Sequence, residues 1–312
     1  MADTRGKQSS QRRGFLFGRN ITKSLSPLLH GTVFAELDLD WSYERVDTDD
    51  IDLVLRCLQD ENLYGAAVTM PHKVAIMKHL DVLTEICRDV GACNTIFVTM
   101  EEGRRILCGT NTDVLGVKEA FYRNVSEPHK TFEDRPVMVI GSGGAARSAV
   151  YAAQKWMRAT QIYLVNRDDL ETQSLLAECE AAANGSILQH INNLNQADDL
   201  PTPGAIISCI PDFAPQTHGE KLVRDIMQVF LRRSDKGAIL DMCYNPTPNT
   251  AISRIAKQEG WQVIAGTEML IWQGLEQDTY WTGRPIEELP VQQVKTAIAN
   301  RLALNLQTVV NE

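Results

Sequence analysis

Two segments place side chains capable of proton transfer beside predicted helix starts. In GAAVTMPHK an apolar strand runs into Pro71, so Lys73 falls in the first turn of the helix that follows. In GTNTDVLG, Asp113 opens a helical pattern. A helix N-terminus disfavours a lysine's ammonium form, whereas a nearby carboxylate favours it. Each of these two residues is therefore a candidate functional residue, and a solvated lysine and a helix-capping aspartate are the alternatives.

Hydroxyl and amide groups near these segments can bind a polar ligand. Ser24 and Ser26 stand two apart in KSLSPLLH, so on an extended segment both hydroxyls face the same oxyanion. A capping or turn role is the alternative for both serines. Thr69 precedes the lysine segment, and Asn94 lies in GACNTIF. These groups add hydrogen-bonding capacity on the same half of the chain.

The strongest local pattern is VMVIGSGGAARSAVYAA, which reads as a strand, a glycine-rich turn and a helix. Gly141, Gly143 and Ala146 have the G-x-G-x-x-A spacing that gives a tight turn, room for a pyrophosphate and close helix–strand packing. The helix N-terminus supplies N–H donors for the phosphates. We therefore predict dinucleotide contacts at Gly141, Gly143, Gly144 and Ala145, with an ordinary tight turn as the alternative.

The next strand ends in IYLVNRDD, where the adenosine ribose is expected. An acidic side chain there binds the ribose 2′-hydroxyl, and an arginine accepts a 2′-phosphate. The segment supplies Asn166, Arg167 and Asp168. All three are predicted cofactor contacts, but together they leave the choice between NAD and NADP open.

Size and composition restrict the class of protein. The 312 residues suffice for two domains, and no apolar run approaches the ~18 residues of a membrane span. The net charge of −9 argues against nucleic-acid binding. The seven cysteines form no C-x-x-C pair, which favours reduced thiols in a cytoplasmic protein. We expect a polar N-terminal tail, no membrane, nucleic-acid or metal partner, and a monomer or homodimer.

Strand and helix patterns divide the chain in two. From Gly14 to about Gly109, strands in GFLFG, WSYERV, GAAVTM and ACNTIFV alternate with helices in IDLVLRCLQDEN and PHKVAIMKHLDVLTEICRDV. From Pro136 to Gly266 strand and helix alternate regularly, which predicts a parallel, doubly wound sheet. The helical pattern TDVLGVKEAFYRN marks the boundary, and two C-terminal helices can pack on either half. The predicted fold class is α/β.

Together these motifs resemble the shikimate/quinate dehydrogenase family. They follow the family's order and spacing from about Phe15 to Gln277: KSLSPLLH, AVTMPHK, GACNT, GTNTDVLG, GSGGAARS, VNR, DMCYNPTPNT and GTEMLIWQG. The resemblance implies an N-terminal α/β substrate domain over 1–112, completed by helices in 267–312. It also implies a Rossmann-like NAD(P)-binding domain over 113–266.

The resemblance further implies an activity and residue roles. The activity is reversible oxidation of a ring alcohol of a carboxylated cyclitol by hydride transfer to NAD(P), without a metal, with Lys73 and Asp113 as the catalytic pair. Gly266 joins the predicted cofactor contacts. The implied substrate contacts are Ser24, Ser26, Thr69, Asn94, Tyr244 and Gln273.

Three departures bear on specificity. Ala67 replaces the family's usual Asn, Asp168 stands where NADP-using members tend to have Thr, and Glu268 replaces a Gly. The chain is most similar to fungal quinate dehydrogenases, which implies quinate and NAD. The alternatives are an NADP-dependent shikimate dehydrogenase, a non-catalytic metabolite sensor, and a dehydrogenase of another polyhydroxy or amino acid.

Overall fold

The computed structural model describes residues 11–182, 187–245 and 247–310, which form two six-stranded sheets. The predicted N-terminal tail therefore lies largely outside the described residues. The first sheet has the order β2-β1-β3-β5-β6-β4, with β1 (Arg12–Gly18), β2 (Trp41–Asp47), β3 (Leu63–Val68), β4 (Val82–Leu83), β5 (Thr95–Glu101) and β6 (Arg104–Thr110). The second has the order β12-β11-β10-β7-β8-β9, with β7 (Val137–Ile140), β8 (Ile162–Val165), β9 (Leu188–His190), β10 (Ala205–Ser208), β11 (Ala238–Asp241) and β12 (Gln262–Ala265).

Helices connect the strands and cover the sheets. Those between residues 26 and 131 are α1 (Ser26–Glu36), α2 (Ile51–Leu58), α3 (His72–Ala75), α4 (Glu85–Val90), α5 (Asp113–Asn124) and α6 (Pro128–Thr131). The later ones are α7 (Gly144–Lys155), α8 (Asp169–Ala182), α9 (Leu194–Asp199), α10 (His218–Leu231), α11 (Ala251–Gln258), α12 (Gly266–Thr282) and α13 (Val291–Val310). Among the described residues, no helix has both the length and the apolar character of a membrane span.

The second sheet is parallel throughout, because helical crossovers join its strands. Numbered from β7, its order is 3-2-1-4-5-6, which is that of the Rossmann fold. The order reverses between β7 and β10, so their carboxyl ends open a crevice where a dinucleotide binds in such folds. The predicted fold class is confirmed. The three-residue strand β9 is the one strand of this sheet that the sequence patterns did not indicate.

The first sheet is mixed, because β5 runs antiparallel to both β3 and β6. The sequence patterns missed β6 and β4, and the single helix predicted over PHKVAIMKHLDVLTEICRDV was wrong. The segment forms α3, a 3₁₀ turn, β4 and α4. Asp81 interrupts the helix by exchanging hydrogen bonds with the backbone of Leu107, and Thr84 then caps α4.

The C-terminal helices pack on the first half of the molecule. Leu270 and Leu275 of α12 and Val294 and Ile298 of α13 share one buried cluster with Leu29 of α1. On its other side α12 packs against α5. Helix α12 therefore lies over the junction between the two sheets.

The six described cysteines are free thiols: Cys57, Cys87, Cys93, Cys108, Cys209 and Cys243. The side chain of Cys179 lies outside the described residues. Burial raises the pKa of Cys209, which keeps its thiol neutral.

A buried histidine–aspartate pair joins α1 to α12. His30 Nδ1 lies 2.9 Å from Asp278 Oδ1, and both side chains are 0% exposed. The imidazole packs between Tyr43 and Trp281, with ring centroids 4.6 and 4.7 Å away. Burial raises the pKa of the Asp278 carboxyl, and the His30 hydrogen bond opposes this rise.

We predict that His30→Ala lowers the free energy of unfolding by about 3–5 kcal/mol, because it leaves Asp278 buried without its partner. The folded variant retains a proton on Asp278 that the unfolded chain releases above about pH 4, so the deficit should grow as pH rises. Urea unfolding at several pH values measures both effects. Lys130→Ala, which removes an exposed pair with Glu127, should cost less than about 1 kcal/mol; an equal loss in both variants would contradict the assignment.

Candidate active site

A cavity of about 300 Å³ opens between the two sheets and beneath α12. Its lining includes every residue predicted from sequence to be catalytic or to bind substrate: Ser24, Ser26, Thr69, Lys73, Asn94, Asp113, Tyr244 and Gln273. Ala145 and Gly266, two predicted cofactor contacts, also line it. Residues more than 240 positions apart in the chain therefore share one cavity.

Lys73 and Asp113 form an ion pair in this cavity. Lys73 Nζ lies 2.5 Å from Asp113 Oδ2, and the side chains are only 14% and 7% exposed. The backbone of Lys73 is held as well, since its carbonyl accepts a hydrogen bond from the Cys93 N–H at 2.7 Å. A partly buried pair is screened less by water than a surface pair. The two groups can therefore orient each other and a ligand hydroxyl.

Asn94 fixes the other oxygen of this carboxylate. Its Nδ2 donates to Asp113 Oδ1 and to Thr112 Oγ1, both at 2.9 Å. Its Oδ1 accepts from the Thr112 N–H at 2.7 Å and from the Thr95 hydroxyl at 2.7 Å, which sets the amide orientation. Thr112 is the N-cap residue of α5, and the carboxylate of Asp113 points to Lys73 and Asn94. The side chain of Asp113 therefore does not cap α5.

Ser24 and Ser26 bring two hydroxyls together at the start of α1. The expected extended segment was wrong, because Ser26 is the first residue of α1 and Pro27 follows it in the first turn. The hydroxyls still converge, with Ser24 Oγ donating to Ser26 Oγ at 3.2 Å. Tyr244 follows β11 of the second sheet and lines the same cavity as the two serines. Burial raises the pKa of Tyr244, so the phenol keeps its proton and can donate to an anion.

The glycine-rich turn has the shape that a dinucleotide requires. Gly141 has φ of +113°, a conformation that L side chains rarely adopt. A Cβ on Gly143 would meet no atom within 4 Å, so open space lies against this part of the backbone. A Cβ on Gly144 would lie 3.0 Å from Lys73 Cδ, so the lysine stem packs directly on the N-terminus of α7. The residues present therefore fit a dinucleotide, whose pyrophosphate this turn and the N-terminus of α7 would hold.

The side chains after β8 are arranged differently from the sequence-based expectation. Asp168 Oδ1 accepts from the backbone N–H groups of Leu170 and Glu171 at the start of α8, at 2.9 and 3.1 Å. Arg167 pairs with Glu220 at 2.6 Å while remaining 63% exposed. Asp168 is thus engaged as a helix cap and Arg167 is drawn toward α10.

A carboxylate that the sequence analysis missed lies on the glycine-rich turn. Glu171 Oε2 accepts from Ser142 Oγ at 2.7 Å and lies 3.4 Å from Asn166 Nδ2. Asn166 also donates to Ser142 Oγ at 2.8 Å. Glu171 is therefore an acidic side chain that contacts the turn. Its position as the third residue of α8 gave no sequence signal for this contact.

The histidines near the motifs have structural roles or lie outside the cavity. His72 is buried and its Nε2 contacts the Thr48 carbonyl at 2.8 Å. His79 is exposed, and His30 is paired with Asp278. One cavity residue absent from the sequence-based predictions is Gln277, four positions after Gln273 on the same face of α12.

A Rossmann sheet facing a lysine–carboxylate pair is an arrangement suited to dinucleotide-dependent dehydrogenases. Comparison with known proteins agrees with this class. The family model described as the shikimate dehydrogenase substrate binding domain matches residues 16–96. A quinate dehydrogenase of Emericella nidulans is 40% identical over 309 residues, covering 93% of this chain and 94% of that protein. The chain belongs to the shikimate/quinate dehydrogenase family.

Solved structures share the fold. A shikimate 5-dehydrogenase of Thermus thermophilus, in complex with NADP(H) and shikimate, is 26% identical with a TM-score of 0.72, covering 94% of this chain and 100% of that one. A quinate dehydrogenase from Corynebacterium glutamicum, in complex with NAD, has a TM-score of 0.75 at 20% identity, covering 93% and 99%. The second likeness concerns the fold alone.

We predict that Gly143→Val folds but no longer binds a dinucleotide, because the new side chain occupies the open space on the turn. Gly143 has φ of −73°, which valine adopts, so the cost is limited to about 1 kcal/mol of helix-cap preference. Calorimetric titration with NAD and NADP measures dinucleotide binding, and the melting temperature measures the stability of the folded variant. Undiminished binding would place the dinucleotide elsewhere.

Proposed function

We propose that this chain catalyses the reversible NAD-dependent oxidation of quinate to 3-dehydroquinate. The observation that supports this most strongly is the Lys73–Asp113 pair, which lies between a polar cavity and the N-terminus of α7. A ligand hydroxyl and a dinucleotide can therefore meet at one point. The 40% identity to a quinate dehydrogenase supports the choice of substrate.

In this proposal each half of the molecule has its own ligand. The first sheet, completed by α12 and α13, holds the substrate, and the second sheet holds the dinucleotide. Ser24, Ser26 and the protonated Tyr244 bind the carboxylate of quinate as uncharged donors. Thr69, Asn94 and Gln273 face the ring hydroxyls. We also propose a cytoplasmic location, which the free thiols support.

Lys73 moves the proton of the reacting hydroxyl. A bound nicotinamide would accept the hydride from the ring carbon. The hydroxyl proton must leave in the same oxidation, and in the amine form Lys73 Nζ accepts it. In the reverse direction the ammonium form returns the proton to the ketone oxygen. Asp113 holds Nζ in place and also accepts a hydrogen bond from the substrate.

Lys73→Ala should lower kcat for quinate oxidation by about 10²–10⁴-fold, because it removes the proton acceptor. The affinity for NAD should stay within about threefold of wild type, since the variant leaves the glycine-rich turn intact. Formation of reduced nicotinamide and calorimetric NAD titration test the two parts. A near-normal kcat would remove Lys73 from the mechanism.

Asp113→Asn is the companion variant. The amide keeps the shape of the side chain but loses the charge that holds Nζ, so kcat/KM should fall while the melting temperature changes little. A lower melting temperature with unchanged kcat/KM would return Asp113 to a structural role.

Glu171 supports the choice of NAD over NADP. Its carboxylate lies on the glycine-rich turn near the end of β8, where the ribose of the adenosine binds in this fold. A carboxylate there can accept a hydrogen bond from the 2′-hydroxyl of NAD, and it repels the 2′-phosphate of NADP. Arg167, the group able to bind that phosphate, is paired with Glu220.

We predict that wild type prefers NAD and that Glu171→Gln shifts the kcat/KM ratio toward NADP by about tenfold, since like charges at a protein surface cost on the order of 1–4 kcal/mol. Asp168→Thr should shift the ratio less, because that carboxylate is engaged by α8. Initial rates of quinate oxidation with NAD and with NADP, measured for wild type and both variants, give these ratios. Wild type favouring NADP, or a larger shift in Asp168→Thr, would contradict the assignment.

Ala67 supports quinate over shikimate. It is 5% exposed and lines the cavity from β3, beside Leu16 of β1 and opposite Thr95 of β5. Quinate has a tetrahedral carbon and an extra hydroxyl where shikimate has a flat, unsaturated one, so its ring is bulkier there. A methyl group on this wall leaves more room than an amide.

Quinate should therefore have a higher kcat/KM than shikimate with NAD at mildly alkaline pH. Ala67→Asn should shift this ratio toward shikimate, because it fills the space and adds a hydrogen-bonding group worth about 1 kcal/mol. Parallel assays of both acids with both proteins measure the shift. Preference of wild type for shikimate would overturn the substrate choice.

A further inference from the structure

The proposed carboxylate site depends on a loop that lies outside the regular elements. Residues 19–25, the serine loop, connect β1 to α1 and carry Ser24. Arg19, Asn20, Ile21 and Ser24 of this loop line the cavity. The position of the Ser24 hydroxyl is therefore set by the contacts that hold the serine loop.

One face of β2 is directed toward the serine loop. Trp41 and Tyr43 pack against the buried cluster that contains Leu29 of α1. Side chains two positions apart on a strand point to the same face of the sheet. Arg45 and Asp47 therefore continue this face of β2 to the level at which β1 ends and the serine loop begins.

Arg45 and Asp47 hold the serine loop at both of its ends. The two carboxylate oxygens of Asp47 accept from the backbone N–H groups of Asn20 and Ile21, at 3.0 and 3.1 Å. Arg45 Nη2 donates to the Ser24 carbonyl at 2.7 Å. Hydrogen bonds with an ionised partner are shorter and stronger than those between neutral groups. A single strand thus fixes the start and the end of the loop.

Arg45 differs from two other cations of this region because no carboxylate neutralises it. Arg19 forms an ion pair with Asp49 at 3.4 Å, and Lys73 is paired with Asp113. Among the residues that the structure describes, no carboxylate forms an ion pair with Arg45. Its positive charge is therefore available to an anion bound nearby.

The charge of Arg45 acts at the point where the carboxylate is proposed to bind. Burial raises the pKa of Tyr244, and the positive charge of Arg45 is one of the influences that oppose this rise. Ser24, Ser26 and Tyr244 are uncharged donors. An anion that leaves water for uncharged donors alone recovers only part of its hydration free energy. A cation whose field reaches the same point offsets this loss.

We propose that Arg45 is a positioning residue for the substrate carboxylate. Its guanidinium holds Ser24 through the backbone carbonyl, and its charge attracts the anion that Ser24, Ser26 and Tyr244 bind. Arg45 does not line the cavity, so it acts through the serine loop and through its charge. The proposal rests on the proposed function and deepens it, since it makes the site selective for an anionic ligand over an uncharged one of the same shape.

The test compares quinate with quinamide, in which an uncharged carboxamide replaces the carboxylate, as substrate or as competitive inhibitor. Arg45→Met keeps most of the side-chain stem and removes both the charge and the hydrogen bond. We expect its KM for quinate to rise about 5- to 30-fold with kcat within about threefold, because the charge acts equally on the ground and transition states. The rise in KM or inhibition constant for quinamide should be smaller by at least about threefold, since this ligand carries no charge.

Lys23→Met is the matched control. Lys23 is an exposed residue of the serine loop, and within the described part of the chain its side chain makes no hydrogen bond or ion pair. The variant removes a positive charge next to Ser24 but leaves the bond from Arg45 intact. Its KM for quinate should therefore stay within about twofold of wild type, as is usual for an exposed charge.

Two further variants separate the charge from the fold. Arg45→Lys keeps the charge and should hold the KM for quinate within about threefold of wild type. Arg45→Gln removes the charge but can still donate to the Ser24 carbonyl, so it allows the same comparison of the two ligands if Arg45→Met does not fold. Because Arg45 is exposed, higher ionic strength should raise the KM for quinate more in wild type than in either uncharged variant.

Three results would overturn the assignment: an unchanged KM for quinate in Arg45→Met and Arg45→Gln, an equal rise in Lys23→Met, or equal rises for quinate and quinamide. If wild type oxidises neither quinate nor shikimate, the proposed function itself fails, and this outcome is distinguishable from all three.

Discussion

The ion pair between Lys73 and Asp113 joins the two halves of the molecule at the point where chemistry would occur. Lys73 enters from the first sheet through β3 and α3, and Asp113 is the first residue of α5, which leads to the second sheet. The stem of Lys73 also lies against Gly144 at the start of α7. Lys73, the Asp113 carboxylate and the glycine-rich turn are therefore held at fixed separations.

A buried polar network supports this pair, and its members leave few hydrogen-bonding groups unsatisfied. Asn94 binds the Asp113 carboxylate on one side and the backbone of Thr112 on the other, so the start of α5 cannot move without breaking both bonds. Helix α12 covers the network and contributes Gln273 and Gln277. Buried polar groups that are paired in this way stabilise one arrangement, because every alternative leaves a group without a partner.

Local patterns predicted the elements that local interactions determine. The glycine-rich turn, α5 and the parallel strands of the second sheet follow from residue spacing. Ser24, Ser26, Thr69, Lys73, Asn94 and Asp113 were singled out because each lies near the end of a strand or the start of a helix, whereas Tyr244 and Gln273 came from the family resemblance alone. The strands β4, β6 and β9 were missed, since two are very short and β6 begins with two arginines. Contacts between distant segments were also beyond local patterns. Glu171 contacts the glycine-rich turn, and Gln277 contacts Thr95 of β5, only in the folded chain.

The most direct test of the central claim is a crystal structure of the wild-type protein with quinate and NAD. We predict that one ring oxygen of quinate lies within hydrogen-bond distance of both Lys73 Nζ and the Asp113 carboxylate, with its carbon facing the nicotinamide. We also predict that the quinate carboxylate lies at Ser24 and Ser26. Quinate bound with its reacting carbon away from Lys73, or a nicotinamide outside the cavity, would show that Lys73 and Asp113 do not act on the reacting hydroxyl.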